Sequence, residues 1–342
     1  MKTLYKIALT LAFVVLNSNF AHSQTEREKG VKLFNEGKTS EAVAVLEKVT
    51  KQTKTDAEAW NALGLAYTKQ NAEKKAIKAF EKAVNINPQS SVYYTNLAYA
   101  YFLNNKLNKA QTASTKAIGI DPKNANAFYL RGAANVWEGD NESAIADADR
   151  AIAIDSDYSL AYNLKSDALL AKFGRRVSGG SKPIDEVNLL QLAKEVLEIC
   201  LKSCQNNPNV KIQEERLDTL TVFHKYFSKN RDVELNAAPT AATLPVAATL
   251  PDPSVTPLKI LSKPLPSYTD KARQDNVVGE VRLVVLFSET GRVTHTLVLK
   301  GLGGGLTANA VKAARSIKFE PAMKDGKPFS QVKIVFYTFS IY

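Results

Sequence analysis

Small and apolar residues recur along the first half of the chain with a period of 34. One series is Gly30, Gly64, Ala98, Gly132 and Ser166; a second is Ala42, Ala76, Ala110 and Ala144; a third is Val49, Ala83, Ala117 and Ala151. Trp60, Tyr94, Phe128 and Tyr162 keep the same spacing, and so do Pro88 and Pro122. A fixed period of this length marks stacked units, none of which buries its apolar face alone. Each unit reads as two amphipathic helices. The glycine or alanine lets the first helix approach the second, the aromatic fills the gap, and Asn87-Pro88 or Asp121-Pro122 stops the second helix, because proline cannot continue it. Gly37 and Gly139 fall at the turns inside units one and four. The spacing predicts four units over 24–158 and a fifth from Ser159, interrupted by 174–181 and resuming from about Asp185 to Gln205. A further helix, about 209–231, carries Leu217, Leu220, Phe223, Tyr226 and Phe227 at helical spacing and reads as a cap.

The pattern changes after residue 256. Val281, Leu283, Val285 and Phe287 alternate with their neighbours, predicting a strand over 279–287. Glu289-Thr-Gly291-Arg292 reads as a turn, Val293, His295, Leu297 and Leu299 as a second strand, and 306–316 as a helix. Asp325-Gly326 is another turn. Val332, Ile334 and Phe336 belong to a last strand, about 330–341, expected at an edge. Between the halves, 236–256 holds four prolines and one charge, with Ala-Ala-Thr-Leu-Pro at 241–245 and 247–251. It reads as a semi-extended tether with a reach on the order of 65 Å.

The unit Trp60-x2-Leu63-Gly64-x2-Tyr67, Ala76-x3-Phe80, Ala83, Pro88 resembles the tetratricopeptide repeat. The resemblance implies an α-solenoid over 24–207, capped by 208–235, with the first helices of successive units lining a concave face. Asn61, Thr95, Tyr99, Asn126, Tyr129 and Trp137 fall on or beside that face and are its candidate peptide-binding residues; ordinary helix packing is the competing reading for each. A lysine-rich clamp for a C-terminal carboxylate is not indicated.

Residues 257–342 resemble the C-terminal domain of TonB-family energy transducers. The matching residues are Tyr268-x3-Ala272-Arg273, Gly279-x-Val281, Gly291-Arg292-Val293 and Phe319-Glu-Pro321-Ala-Met-Lys-Asp-Gly326-Lys-Pro328. Thr269, Thr290 and Ile317 depart from the family pattern. The resemblance implies a small α+β fold whose edge strand takes a segment of an outer-membrane receptor as an added strand. The candidate edge residues are Gln331, Lys333, Val335 and Tyr337. Homodimerisation through the same edge is the competing use.

Lys2 and Lys6 precede an apolar run from Ile7 to Leu16, followed by Ala21-His22-Ser23. This order is that of a secretory signal, residues 1–23, cleaved after Ser23, and the run is short of the roughly 20 residues a bilayer span needs. Export to the periplasm is therefore expected, with an uncleaved inner-membrane anchor as the alternative. The 342 residues carry 45 Lys and Arg against 34 Asp and Glu, net +11. Residues 257–342 hold 13 Lys and Arg against 6 Asp and Glu, so most of the excess lies there. With export, that excess argues against nucleic acid and for an acidic partner, cell-wall polymer or anionic membrane surface.

No acid/base, nucleophile, cofactor or metal constellation is spelled out, and no enzymatic activity is expected. His22, His224 and His295 are far apart. Gly301-Leu-Gly303-Gly304-Gly305 lacks the continuation a phosphate cradle needs and reads as a flexible connection. Asp147, Asp149, Asp155 and Asp157 read as solvated helix surface. Cys200 and Cys204 share a predicted helix face; buried thiols and a local disulfide are both compatible with that spacing. The expected protein is a periplasmic adaptor linked to outer-membrane transport, with an anchored energy transducer and an envelope assembly scaffold as alternatives.

Overall fold

A computed structural model of the chain describes residues 24–204, 207–208, 210–231, 233, 235 and 254–341. The expected signal segment and residues 236–253 of the tether lie outside the described residues. The chain forms two compact units, divided between Ser156 and Asp157.

The first unit is helical. A first helix, α1, is described over 24–35. It is followed by α2 (Thr39–Gln52), α3 (Ala57–Lys69), α4 (Glu73–Ile86), α5 (Ser91–Leu103), α6 (Leu107–Ile120), α7 (Ala125–Glu138) and α8 (Asn141–Ile154). The repeat is visible at every level of local chemistry. Asp56, Ser90 and Asn124, 34 apart, are N-caps whose side chains accept from the N–H of Ala59, Tyr93 and Ala127. The turn inside each pair needs a positive φ, and Gly37, Asn71, Asn105 and Gly139, again 34 apart, supply it. Only the two glycines are conspicuous in the sequence; asparagine tolerates the same conformation. A Cβ on Gly64 would lie 2.5 Å from the Phe80 ring, so this glycine sets how closely α3 meets α4. Tyr67 donates to Glu47 at 2.5 Å, and Tyr101, one period on, donates to Glu81 at 2.7 Å.

Unit four departs from that bond. Asn135 stands where the tyrosine would be, and Arg131 makes a two-point contact with Asp147 at 2.6 and 3.0 Å. Asn135 joins Asp147 at 3.3 Å and accepts from Gln111 at 2.6 Å. The solvated reading of Asp147 is therefore corrected. It is buried, and its charge is compensated by a guanidinium whose pKa the Asp147 hydrogen bond raises further.

The second unit joins helices to sheets. It contains α9 (Ser159–Ser178), α10 (Val187–Ser203) and α11 (Val210–Lys229), then β1 (Val255–Thr256), β2 (Lys259–Ser262) and α12 (Asp270–Gln274). β3 (Gly279–Phe287), β4 (Val293–Lys300), α13 (Leu306–Arg315), β5 (Lys318–Glu320), β6 (Ala322–Lys324), β7 (Lys327–Phe329) and β8 (Gln331–Phe339) complete it. The main sheet runs β4-β3-β8, all antiparallel, and two small sheets run β2-β5 and β1-β6-β7. One face buries Val281, Leu283, Val285, Phe287, Val335, Tyr337 and Phe339 with Leu306, Ala310 and Ala314 of α13. The alternate residues Val284, Leu286, Leu297, Leu299 and Val332 are buried too. They lie on the opposite face, where α9 and α11 reach β4.

That second face explains three differences from the expected organisation. Helix α9 runs unbroken through Gly174 and ends only at Ser178. Gly174 is not a breaker but a point of close approach, since a Cβ there would lie 2.9 Å from the backbone oxygen of Leu299. Helix α11, expected as a cap of the solenoid, contacts the sheet: Asp218 meets His295 at 3.1 Å, and the Tyr226 hydroxyl accepts from the N–H of Val332 at 3.3 Å. The tether also ends earlier than its composition suggests, because Val255 and Thr256 pair with Lys324 and Met323 as β1.

Cys200 and Cys204 form a disulfide. Cys204 lies one residue beyond α10 in an extended conformation, which brings the two Cα atoms to 5.1 Å, inside the range a disulfide accepts.

Candidate functional site

Two surfaces collect the sequence-predicted residues. The first is the face made by α3, α5 and α7, which pack in that order. Asn61 is half-buried and accepts from Asn96 at 2.8 Å, tying α3 to α5. Thr95 is also committed: it donates to Ser91 O at 2.9 Å and accepts from Asn124 at 2.9 Å. Tyr129 is half-buried against the apolar core, whereas Asn126 is exposed. Tyr99 and Trp137 are 43% and 49% exposed, and Val92, which the sequence reading missed, is exposed as well. Asn61 and Thr95 thus fix the spacing of the helices. Tyr99, Trp137 and Val92 present the apolar surface a bound segment would cover; exposed Tyr and Trp are the residue types that dominate protein interfaces.

The second surface is the free edge of β8, which bonds only to β3 among the described residues. Backbone groups alternate along an antiparallel strand, one residue bonding inward and the next pointing outward. The N–H of Val332 meets Tyr226 and the C=O of Phe336 accepts from Lys263 Nζ at 2.7 Å, so the outward residues are Val332, Ile334, Phe336 and Thr338. Gln331, Lys333, Val335 and Tyr337 bond inward to β3. The expected edge set is therefore displaced by one residue, and Val335 and Tyr337 also send their side chains into the core. The sequence marked the strand but not its parity. Hydrophobic alternation assigns faces, and here both faces are buried.

Lys263 and Tyr226 occupy two of the outward groups. The Lys263 ammonium lies 4.8 Å from the centre of the Tyr337 ring, and partial desolvation lowers its pKa from the usual lysine range. The Tyr337 hydroxyl has no hydrogen-bond partner among the described residues, and burial pushes its pKa up to about 12.

The other motif residues are structural. Tyr268 donates to Val277 O, its ring packs edge-on against Phe339 at 5.7 Å, and Arg273 lies over it at 5.6 Å. Phe319 packs edge-on against Phe287 at 4.9 Å. In the glycine-rich loop, Gly304 has a positive φ and lies against Ala272. Thr307 both accepts from and donates to Leu302 at the start of α13. This loop is a strand-to-helix connection with its polar groups used internally.

A helical-repeat face and a small sheet whose β8 pairs on one side only, among the described residues, fit the class of protein-binding adaptors. Residues 264–341 match the family model described as the Gram-negative bacterial TonB protein C-terminal, and 2–130 match that for the Psidin N-terminal TPR repeats region. The chain therefore resembles tetratricopeptide-repeat proteins over its first part and the TonB C-terminal domain over its last, each model covering less than half of its length. No curated protein matches it in sequence. Solved structures similar to it include pilF of Pseudomonas aeruginosa, 14% identical over 62% of this chain and 93% of that one, with a TM-score of 0.48. A thermophilic TPR protein of Thermus thermophilus is 18% identical over 58% and 99%, TM-score 0.45. YrrB, described as a TPR protein with an unusual peptide-binding site, is 16% identical over 56% and 91%, TM-score 0.43.

Proposed function

We propose that the protein is an exported, non-enzymatic adaptor that works in the periplasm and is linked to outer-membrane transport. The α3–α5–α7 face holds a peptide or extended segment of one partner. The β8 edge takes a segment of a second partner, an outer-membrane receptor, as an added strand. The observation that carries this reading is the outward row of β8 on a TonB-type domain, in which Ile334 and Thr338 keep their outward main-chain groups while Lys263 and Tyr226 must release those of Phe336 and Val332 if the added strand runs the full length. An extended peptide satisfies such a row with main-chain hydrogen bonds. Export is supported by the order of charge, apolar run and small residues in 1–23, and the Cys200–Cys204 disulfide suits an oxidising compartment.

Proline at Ile334 is the direct test. It removes one outward N–H and leaves the inward bonds of Lys333 and Val335 to β3 intact, a position where a sheet edge tolerates proline. Loss of receptor-segment binding with an unchanged melting temperature is the expected outcome; unchanged affinity would overturn strand addition here. The anchored-transducer alternative is separated by mass spectrometry of the mature N-terminus. A chain starting at Gln24 removes it, and one retaining Met1 favours it.

A further inference from the structure

The C-terminal domain has a second concave site that none of the β8 residues line. A cavity of about 360 Å3 is bounded by Leu261 of β2, Gly291–Val293 at the β3–β4 turn, and 315–319 from the end of α13 into β5. Its chemistry is two-layered. Ile317 and Phe319 are buried and form an apolar floor with Val293, while Leu261 stands 56% exposed at the side. Leu261 has no partner across the β2–β5 pair, because the register shifts between Ile260 and Ser262; a bulge of this kind re-aims a side chain.

The lining also holds three exposed cations, Arg292, Arg315 and Lys318, and no acidic residue. None of the three has an acidic partner among the described residues. Elsewhere in the domain Lys259 pairs with Glu320, Lys271 with Asp275 and Arg282 with Glu280. Arg315 also sits favourably at the negative end of α13, but that accounts for neither Arg292 nor Lys318. Three like charges lining one recess, with no acid among them, give it a positive potential that favours an anion.

We propose that this recess binds an acidic segment of a partner protein, a carboxylate side chain held among Arg292, Arg315 and Lys318 with a neighbouring aliphatic side chain against Leu261 and the Ile317–Phe319 floor. The shape favours a peptide over a bilayer. The apolar residues Ile317 and Phe319 are buried and the cations exposed, and the volume is near the small end of ligand sites, a size suited to a single side chain. This site is independent of strand addition at β8.

The test is selection of random heptapeptides displayed on phage against the full-length protein, followed by fluorescence anisotropy of the selected sequences. Enrichment of Asp or Glu beside Leu, Ile or Val is expected, with affinity falling more than about tenfold in the R292E/R315E/K318E triple variant. The R292K/R315K/K318R variant should bind within a few-fold of the parent. Ile334→Pro should leave these peptides unaffected, which separates this site from the β8 edge. No acidic enrichment overturns the proposal, as does an equal loss in a K300E/K312E/K327E control that changes net charge by the same amount. Binding of phosphatidylglycerol vesicles that depends on Arg292, Arg315 and Lys318, with no peptide selected, overturns it in favour of a membrane surface. Far-ultraviolet circular dichroism of each variant establishes that it is folded.

Discussion

In the helical unit a contact that works once is used again 34 residues later: the caps Asp56, Ser90 and Asn124, the left-handed turns at 37, 71, 105 and 139, and the Tyr67–Glu47 and Tyr101–Glu81 bonds. In the second unit each decisive contact occurs once and joins distant parts of the chain. Gly174 meets Leu299, Tyr226 meets Val332, and Lys263 meets Phe336. Repetition distributes stability over equivalent sites, so a lost contact in one repeat has neighbours to lean on. A unit closed by single long-range contacts has no such reserve.

Truncating one large core residue in each unit gives the largest effect. Phe80→Ala and Phe173→Ala each remove a fully buried ring, and each should cost about 3–5 kcal/mol. Denaturant unfolding monitored by hydrogen exchange should show the first loosening α3–α5, and the second releasing α9–α11 and the β4-β3-β8 sheet together. Protection of the sheet after Phe173→Ala would break the comparison, because it would make the sheet independent of the helices.

The next effect separates two glycines. Alanine at Gly64 meets a Phe80 ring that can tilt, whereas alanine at Gly174 meets strand backbone. Overpacking typically costs about 1–3 kcal/mol, and we expect Gly64→Ala near about 1 and Gly174→Ala near about 3 on this scale. Equal melting temperatures would show that the strand shifts as readily as a side chain. A smaller effect is expected at a repeated cap. Asn124→Ala should cost about 1 kcal/mol for its cap, plus the loss of its bonds to Ser91 and Thr95.

The mildest perturbation is alkaline pH. Burial, aided by Glu47 and Glu81, raises the pKa of Tyr67 and Tyr101, and burial raises that of Tyr337 to about 12. A tyrosine in the unfolded chain ionises near about pH 10. The folded forms therefore hold protons that the unfolded chain releases. The stabilisation they give is complete below about pH 10 and is lost as pH rises toward the folded values. Melting temperatures measured from about pH 9 to about pH 11.5 should fall, with a smaller fall in Tyr67→Phe. An identical fall in that variant would assign the effect to other groups.

Most of the helical unit was readable because its cause is local. Residue types 34 apart report directly on close approaches, helix stops and the two glycine turns, whereas the caps Asp56, Ser90 and Asn124 and the turns at Asn71 and Asn105 emerged only in the structure. The exceptions are instructive: Asp147 looked like one more surface acid, and only the neighbouring helix, carrying Arg131 and Asn135, made it a buried one. In the sheet unit the strands, the main turns and the α13 helix were readable from alternation and glycine placement, and so was the position of β8 at an edge. Which backbone groups of β8 face outward was not, since Val332 and Val335 both look apolar and both are buried, on opposite faces.

The sequence by itself determined the repeat, the main C-terminal strands and their helix, the family resemblances and the location of the excess positive charge. All of these follow from residue type at short or fixed spacing. Only the tertiary structure decided that α9–α11 share a compact unit with the sheet, that Gly174 is a contact rather than a break, and that Val332, Ile334, Phe336 and Thr338 are the residues of β8 whose backbone faces away from β3. It also gathered Arg292, Arg315 and Lys318 around one apolar recess. These properties depend on pairs of residues between 3 and more than 100 positions apart, and no local pattern records which of them the folded chain brings together.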